Sequence, residues 1–86
     1  MLDYWSRIEV ICEKIIMKQH TRKSDKIMAQ AAVLLQLVID FNADRNCDTF
    51  KKNVVNIYDS VHAEIKDYSF GSAWMDLGLH LNQLRT

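Results

Sequence analysis

The sequence contains no proline and only two glycines among its 86 residues. β-Rich folds of this size need frequent turn residues, so this composition argues against them. Cysteine is also scarce, and Cys12 and Cys47 form no Cys-x-x-Cys pair, which gives no sign of a zinc finger or a secreted disulfide framework. Since 49% of the residues are hydrophobic and 26% are charged, we expect a globular helical protein with reduced cysteines.

Catalytic signatures are missing as well. The chain has no glycine-rich phosphate loop, no Gly-x-Ser-x-Gly and no His-Glu-x-x-His. A metal site needs three or four ligands, and the spacing of Asp59 and His62 has no second pair to accompany it. We therefore predict that the protein is not an enzyme and holds no cofactor or metal.

Charge and hydropathy restrict the function further. Lys plus Arg and Asp plus Glu both total 11, whereas a dedicated nucleic-acid binder usually has a basic surplus. The longest uncharged stretch, 27–39, has 13 residues, and a membrane-spanning helix needs about 20. The first residues show no basic stretch followed by an apolar run. These features predict a cytoplasmic protein that does not enter a membrane.

Apolar residues recur at helical spacing in four segments. They predict helices over Asp3–Gln19, Asp25–Ala43, Asp48 or Thr49 to Lys66 or Asp67, and Ala73–Leu84, with a glycine and a serine at 71–72 separating the last two. Asp3, Ser24 and either Asp48 or Thr49 are the predicted N-caps. Because the three loops are short, we expect an all-α fold: a compact single-domain antiparallel four-helix bundle over residues 1–86. A three-helix core with a peripheral helix is the alternative.

Two features of these helices point to close packing. The second helix is apolar nearly all round, which is typical of a central helix or of one covered by a second chain. This pattern is consistent with a homodimer contact or with a groove that binds a partner protein. Gly78 costs about 1 kcal/mol relative to alanine within the fourth helix. A close approach between helices is the expected reason for a glycine there.

Two charged clusters are candidate binding sites. The basic cluster, Lys18, Arg22, Lys23 and Lys26, could contact phosphates; alternatively, it is a solvated connection whose Lys18 and His20 stabilise the end of the first helix. The acidic set, Asp40, Asp44 and Asp48, could contact a basic protein; alternatively, it is an ordinary acidic loop.

The sequence favours a small non-enzymatic helical module that binds and occludes a partner protein. Small bacterial immunity and antitoxin proteins are similar in size, charge balance and helical build, an analogy that suggests an inhibitor of a basic toxin or nuclease. Asp40, Asp44 and Asp48 would then form its protein-binding edge. The alternatives are a dimeric nucleic-acid-binding regulator that uses the basic cluster, and a structural subunit completed by another chain.

Overall fold

The part of the chain that the structure describes contains four helices, and they begin and end within a few residues of the segments that the apolar spacing predicts. The computed structural model describes residues 3–65 and 72–85. The helices are α1 (Tyr4–Met17), α2 (Lys23–Phe41), α3 (Asp48–Glu64) and α4 (Ser72–Leu81), and a single 3-10 turn, Asn82–Leu84, follows α4. No strand occurs within these two ranges, so the all-α prediction is confirmed.

The helices pack as a bundle in which α1 lies between α2 and α4, and α3 packs against α2. Gln36 of α2 donates a hydrogen bond to the carbonyl of Glu9 at 3.2 Å, and Tyr4 of α1 donates one to the carbonyl of His80 at 2.5 Å. The second contact joins the start of α1 to the end of α4, as antiparallel packing of these two helices requires. The radius of gyration, 12.3 Å, is close to the value of about 12 Å for a compact chain of this length.

The core is built from the apolar stripes of all four helices. Trp74 and Cys12 are fully buried, as their positions on the stripes predict, and Trp5 is half-buried with its ring 5.1 Å from that of Phe50. The buried hydrophobic residues are Ile8, Ile11, Cys12, Ile15, Met28, Ala31, Ala32, Leu35, Ile39, Phe50, Val54, Tyr58, Ile65, Trp74, Leu77 and Leu81. Burial of these stripes is the main stabilising term in a chain this small.

Side chains cap both ends of α1. Asp3 is the N-cap, as predicted, and its carboxylate accepts a hydrogen bond from the backbone N–H of Ser6 at 2.7 Å. This bond lowers the pKa of Asp3 below its usual value. At the other end, the ring of His20 hydrogen-bonds the carbonyl of Ile16 at 2.7 Å, so the expectation that His20 stabilises this end is confirmed. The helix ends at Met17, two residues before the predicted Gln19.

Two predicted N-caps are wrong. Ser24 lies inside α2, because the helix begins two residues earlier than predicted, with Arg22 as its N-cap and the N–H of Lys26 bonded to the Arg22 carbonyl. The Ser24 hydroxyl is buried and caps nothing. In α3 the N-cap is Cys47 rather than Asp48 or Thr49, and Asp48 lies in the first turn, where its charge still favours the helix dipole.

The predicted close approach at Gly78 is confirmed. A Cβ atom built on Gly78 would lie 2.9 Å from Cζ of Tyr58, which is closer than such atoms pack. The glycine thus allows the Tyr58 ring of α3 to lie directly on the backbone of α4. The predicted continuation of the third helix to Lys66 or Asp67 and the separating Gly71 lie outside the described residues.

Candidate protein-binding groove

A surface groove between α1 and α2 combines three carboxylates with apolar side chains. Glu9 and Glu13 line it from α1, and Asp40 lines it from α2. The other lining residues are Ser6, Val10, Ile16, Met17 and Gln36. This mixture of acidic and apolar groups is suited to contact with a protein surface.

Helical spacing explains why these side chains share one groove. Residues three, four and seven apart lie on the same side of a helix, which places Glu9, Glu13 and Ile16 on the flank of α1 that faces α2. Gln36 and Asp40 are four apart on the facing flank of α2. The hydrogen bond from Gln36 to the Glu9 carbonyl holds the two helices together beneath the groove.

The negative charge of the groove is compensated only in part. Glu9 lies 3.5 Å from Arg45, whereas Glu13 and Asp40 are exposed and make no ion pair within the described part of the chain. Glu13 also lines a neighbouring depression together with Lys14 and Lys18. A cationic partner would therefore meet Glu13 and Asp40 without first displacing an internal salt bridge.

The apolar part of the groove is accessible. Met17 is 77% exposed and Val10 is 38% exposed, and both line the α1 side. A methionine side chain is flexible and polarisable, and such side chains adapt to irregular partner surfaces. Together with the carboxylates they form a surface that suits a helix with one basic and one apolar face.

The three predicted acidic residues do not share one site. Asp40 lines the groove, together with two carboxylates of α1. Asp44 is exposed in the α2–α3 loop, where its carboxylate accepts a hydrogen bond from the N–H of Asn46 at 3.2 Å. Asp48 lines a separate depression beside Lys51 and Lys52.

The sequence interpretation missed Glu9 and Glu13 as site residues. These two like charges lie four residues apart on α1, a spacing that costs a helix a few tenths of a kcal/mol. That mild penalty was the signal in the sequence that could have identified them as site residues. Only the pairing of α1 with α2 brings them beside Asp40.

Half of the predicted basic cluster contacts a buried carboxylate. Asp25 is 3% exposed, and Arg22 donates two hydrogen bonds to it, from Nε at 3.1 Å and from Nη2 at 3.0 Å. Lys18 lies 3.5 Å from the same carboxylate. The hydrogen bonds from Arg22 are the main reason that the pKa of Asp25 is lowered. This arrangement joins the end of α1 to the start of α2, and it leaves Lys23 and Lys26 as the exposed cations of the cluster that make no ion pair within the described ranges.

A cavity of about 110 Å³ adjoins this cluster. Lys18, His20, Asp25 and Trp74 contribute to its lining, together with Ile15, Met28, Ser72 and Ala73. Ligand pockets usually measure about 300–1,000 Å³, and this cavity has room for only a few water molecules. It is not a site for a cofactor of ordinary size.

The histidine and aspartate that suggested a metal pair have separate partners. His62 accepts a hydrogen bond from the indole N–H of Trp74 at 3.1 Å, and Asp59 forms an ion pair with Arg85 at 2.5 Å. Within residues 3–65 and 72–85, no group of three or more His, Cys, Asp or Glu side chains is placed to hold a metal ion.

Comparison with known proteins does not indicate a function for this groove, and the helices that the structure describes give no sign of crossing a membrane. None of the helices described is long and apolar enough to cross a membrane. No protein-family model, curated protein or solved structure matches the chain. Function is therefore inferred from the chemistry of the groove itself.

Proposed function

We propose that this chain is a small non-enzymatic protein-binding module whose groove between α1 and α2 receives a basic, amphipathic segment of a partner protein. The observation that carries the proposal is the grouping of Glu9, Glu13 and Asp40 beside the exposed side chains of Val10 and Met17. The basic residues of the partner would contact the carboxylates. Its apolar residues would cover the two hydrophobic side chains.

The charge of the groove suits fast and selective association. Carboxylates on one surface attract a cationic partner during diffusion, and they repel an acidic one. Glu13 and Asp40 are available for this role because they make no ion pair among the described residues. Their attraction is screened by salt, so binding should weaken as ionic strength rises.

Occlusion is the mode of action that this surface supports best. A bound module covers the cationic surface of its partner, and no chemical step is required. A toxin or nuclease that needs such a surface to contact nucleic acid would lose its activity. We therefore assign the chain, as a proposal, an immunity-like, antitoxin-like or regulatory inhibitory role.

Affinity capture tests this function. Tagged protein is incubated at low salt with lysate from the cells that contain it, with and without nuclease treatment. We expect one stoichiometric protein partner that survives the nuclease and is released when salt is raised. If only nuclease-sensitive material is recovered, the protein-binding function is wrong, and nucleic-acid binding through Lys23 and Lys26 becomes the better description.

A further inference from the structure

Among the three carboxylates of the groove, Glu9 differs from the other two in having a cationic partner within the described residues. Nη2 of Arg45 lies 3.5 Å from Oε1 of Glu9. Glu13 and Asp40 make no ion pair in the same two ranges. The groove therefore offers two carboxylates that are open to a partner and a third that the chain itself occupies.

The α2–α3 loop places Arg45 beside the groove. The N–H of Asp44 donates a hydrogen bond to the side chain of Asn42 at 2.9 Å, and the N–H of Asn46 donates one to the carboxylate of Asp44 at 3.2 Å. Both bonds form tight local turns around Arg45. They restrict the backbone from which this side chain extends, so the guanidinium is held over α1 although the loop starts at the end of α2.

The contact between Arg45 and Glu9 can be exchanged easily. The two side chains are 35% and 34% exposed, so water solvates both charges. An ion pair with this exposure changes an equilibrium by about fivefold at most. Arg22 and Asp25 form a different kind of pair, in which two hydrogen bonds at 3.1 and 3.0 Å reach a buried carboxylate. Arg45 thus covers Glu9 without being fixed to it.

We propose that Arg45 is an internal competitor for the groove: it occupies Glu9 in the free protein and is displaced when a basic segment of a partner binds. The competitor role depends on the proposed function of the groove and adds its regulation. The guanidinium of Arg45 offers Glu9 the same chemistry as an arginine or lysine of the partner. The two cations exclude each other, because like charges placed at one carboxylate repel.

This competition sets a requirement for partners. The affinity of a segment that uses Glu9 is reduced by the fraction of molecules in which Arg45 has left that carboxylate. A segment that contacts only Glu13 and Asp40 avoids this cost, but it gains one attraction fewer. Tight binding therefore needs further contacts, which the exposed Met17 side chain in the same groove can supply. Weakly basic proteins without an apolar face are excluded.

A purely structural role for Arg45 predicts a different result. If the ion pair only tied the α2–α3 loop to α1, loss of the guanidinium would loosen the loop and leave the affinity of the groove unchanged or lower. A competitor predicts that the affinity for a cationic segment rises. The direction of the change in affinity therefore distinguishes the two roles.

Fluorescence anisotropy measures this direction with a defined probe. The probe is a fluorescein-labelled synthetic peptide whose helical spacing places leucines on one face and arginines on the other. At low salt, Arg45→Gln should bind the peptide about two- to fivefold more tightly than the wild type. Arg85→Gln is the matched control, because Arg85 pairs with Asp59 of α3 at 2.5 Å. It removes the same charge and releases a carboxylate outside the groove, so it should bind like the wild type.

A double-mutant cycle identifies the carboxylate for which Arg45 competes. In a Glu9→Gln background this carboxylate is gone, so Arg45→Gln should change the affinity no more than Arg85→Gln does. Circular dichroism of every variant verifies that the helices are retained.

Equal affinities of Arg45→Gln and Arg85→Gln for the peptide would overturn the competitor, and so would an effect of Arg45→Gln that is undiminished in the Glu9→Gln background. Failure of the proposed function gives a different result, in which Glu13→Gln/Asp40→Asn binds the peptide as tightly as the wild type does. Absence of binding by both the wild type and Arg45→Gln would overturn the groove and the competitor together.

Discussion

The phenol ring of Tyr58 occupies the space that a side chain at Gly78 would need. A Cβ atom on Gly78 would lie 2.9 Å from Cζ of Tyr58. The same ring stacks on Trp74 with centroids 4.5 Å apart, and its hydroxyl donates to the Trp74 carbonyl at 3.3 Å. The contact between α3 and α4 therefore depends on the absence of a side chain at one position.

Gly78→Ala should destabilise the protein. Alanine improves helix propensity by about 1 kcal/mol, but overpacking against a ring that is fixed by stacking costs about 1–3 kcal/mol. Urea denaturation should show a net loss of stability. The control is the same change in a Tyr58→Ala background, where alanine should be the more stable residue. A stabilised Gly78→Ala in the otherwise wild-type protein would contradict the packing described.

His62→Phe should cost about 1–3 kcal/mol, because it leaves a buried indole N–H without its acceptor. Trp74 is fully buried and donates this bond to Nδ1 of His62 at 3.1 Å. Phenylalanine preserves an aromatic ring that can stack on Tyr58, as the His62 ring does now. Denaturation followed by tryptophan fluorescence measures the loss, and unchanged stability would show that this hydrogen bond contributes nothing net.

Asp25→Asn should destabilise the protein by about 1–2 kcal/mol at neutral pH, since the partners of this buried carboxylate are cations exposed to screening. Hydrogen bonds from Arg22 lower the pKa of Asp25 below the ordinary value of an aspartate. A carboxyl group whose pKa is lower in the folded state than in the unfolded state stabilises the fold when it is ionised. This stability is present above the unfolded-state pKa and is lost as the pH falls through the folded-state pKa.

The difference in the free energy of unfolding between the wild type and Asp25→Asn should accordingly shrink below a pH of about 4. Asp76→Asn is the control, because Asp76 is exposed and makes no ion pair among the described residues. Denaturation curves across pH measure both variants. A difference for Asp25→Asn that stays constant down to low pH would contradict the stabilising role of the ionised carboxylate.

The two free cysteines should differ in reactivity. Burial, aided by the charge of Glu9, raises the pKa of Cys12 to about 12, whereas Cys47 is half-buried next to the α2–α3 loop. Only the thiolate reacts with iodoacetamide, so Cys47 should be labelled at neutral pH and Cys12 only after denaturation. Mass spectrometry of digested protein separates the two sites. Equal labelling of both in the native protein would contradict the burial of Cys12.

The fold was largely predictable because each helix carries a continuous apolar stripe. Gly78 was also predictable, since an unfavourable residue within a helix needs a packing reason. The first residues of α2 and α3 were not predictable in this way. Ser24 has the chemistry of an N-cap, but its side chain is buried in the bundle, and α2 begins at Lys23 instead.

The candidate groove was only partly predictable. Asp40 was identified as an exposed charge, but its neighbours Glu9 and Glu13 come from a helix that is distant along the chain. Asp48 was grouped with it by sequence, although Asp48 is the first residue of α3, where helical spacing places it beside Lys51 and Lys52. Tertiary pairing, which local periodicity does not encode, places Asp40 on the same surface as the two glutamates of α1.

Capture by groove variants tests the proposed function most directly. Glu13→Gln/Asp40→Asn removes two negative charges from the groove, and Glu64→Gln/Asp76→Asn removes two exposed negative charges from α3 and α4. At equal protein and salt, the groove variant should retain at least about tenfold less of the nuclease-resistant partner than the wild type, and the control should retain it fully. Equal retention by the two variants would contradict recognition through the groove between α1 and α2.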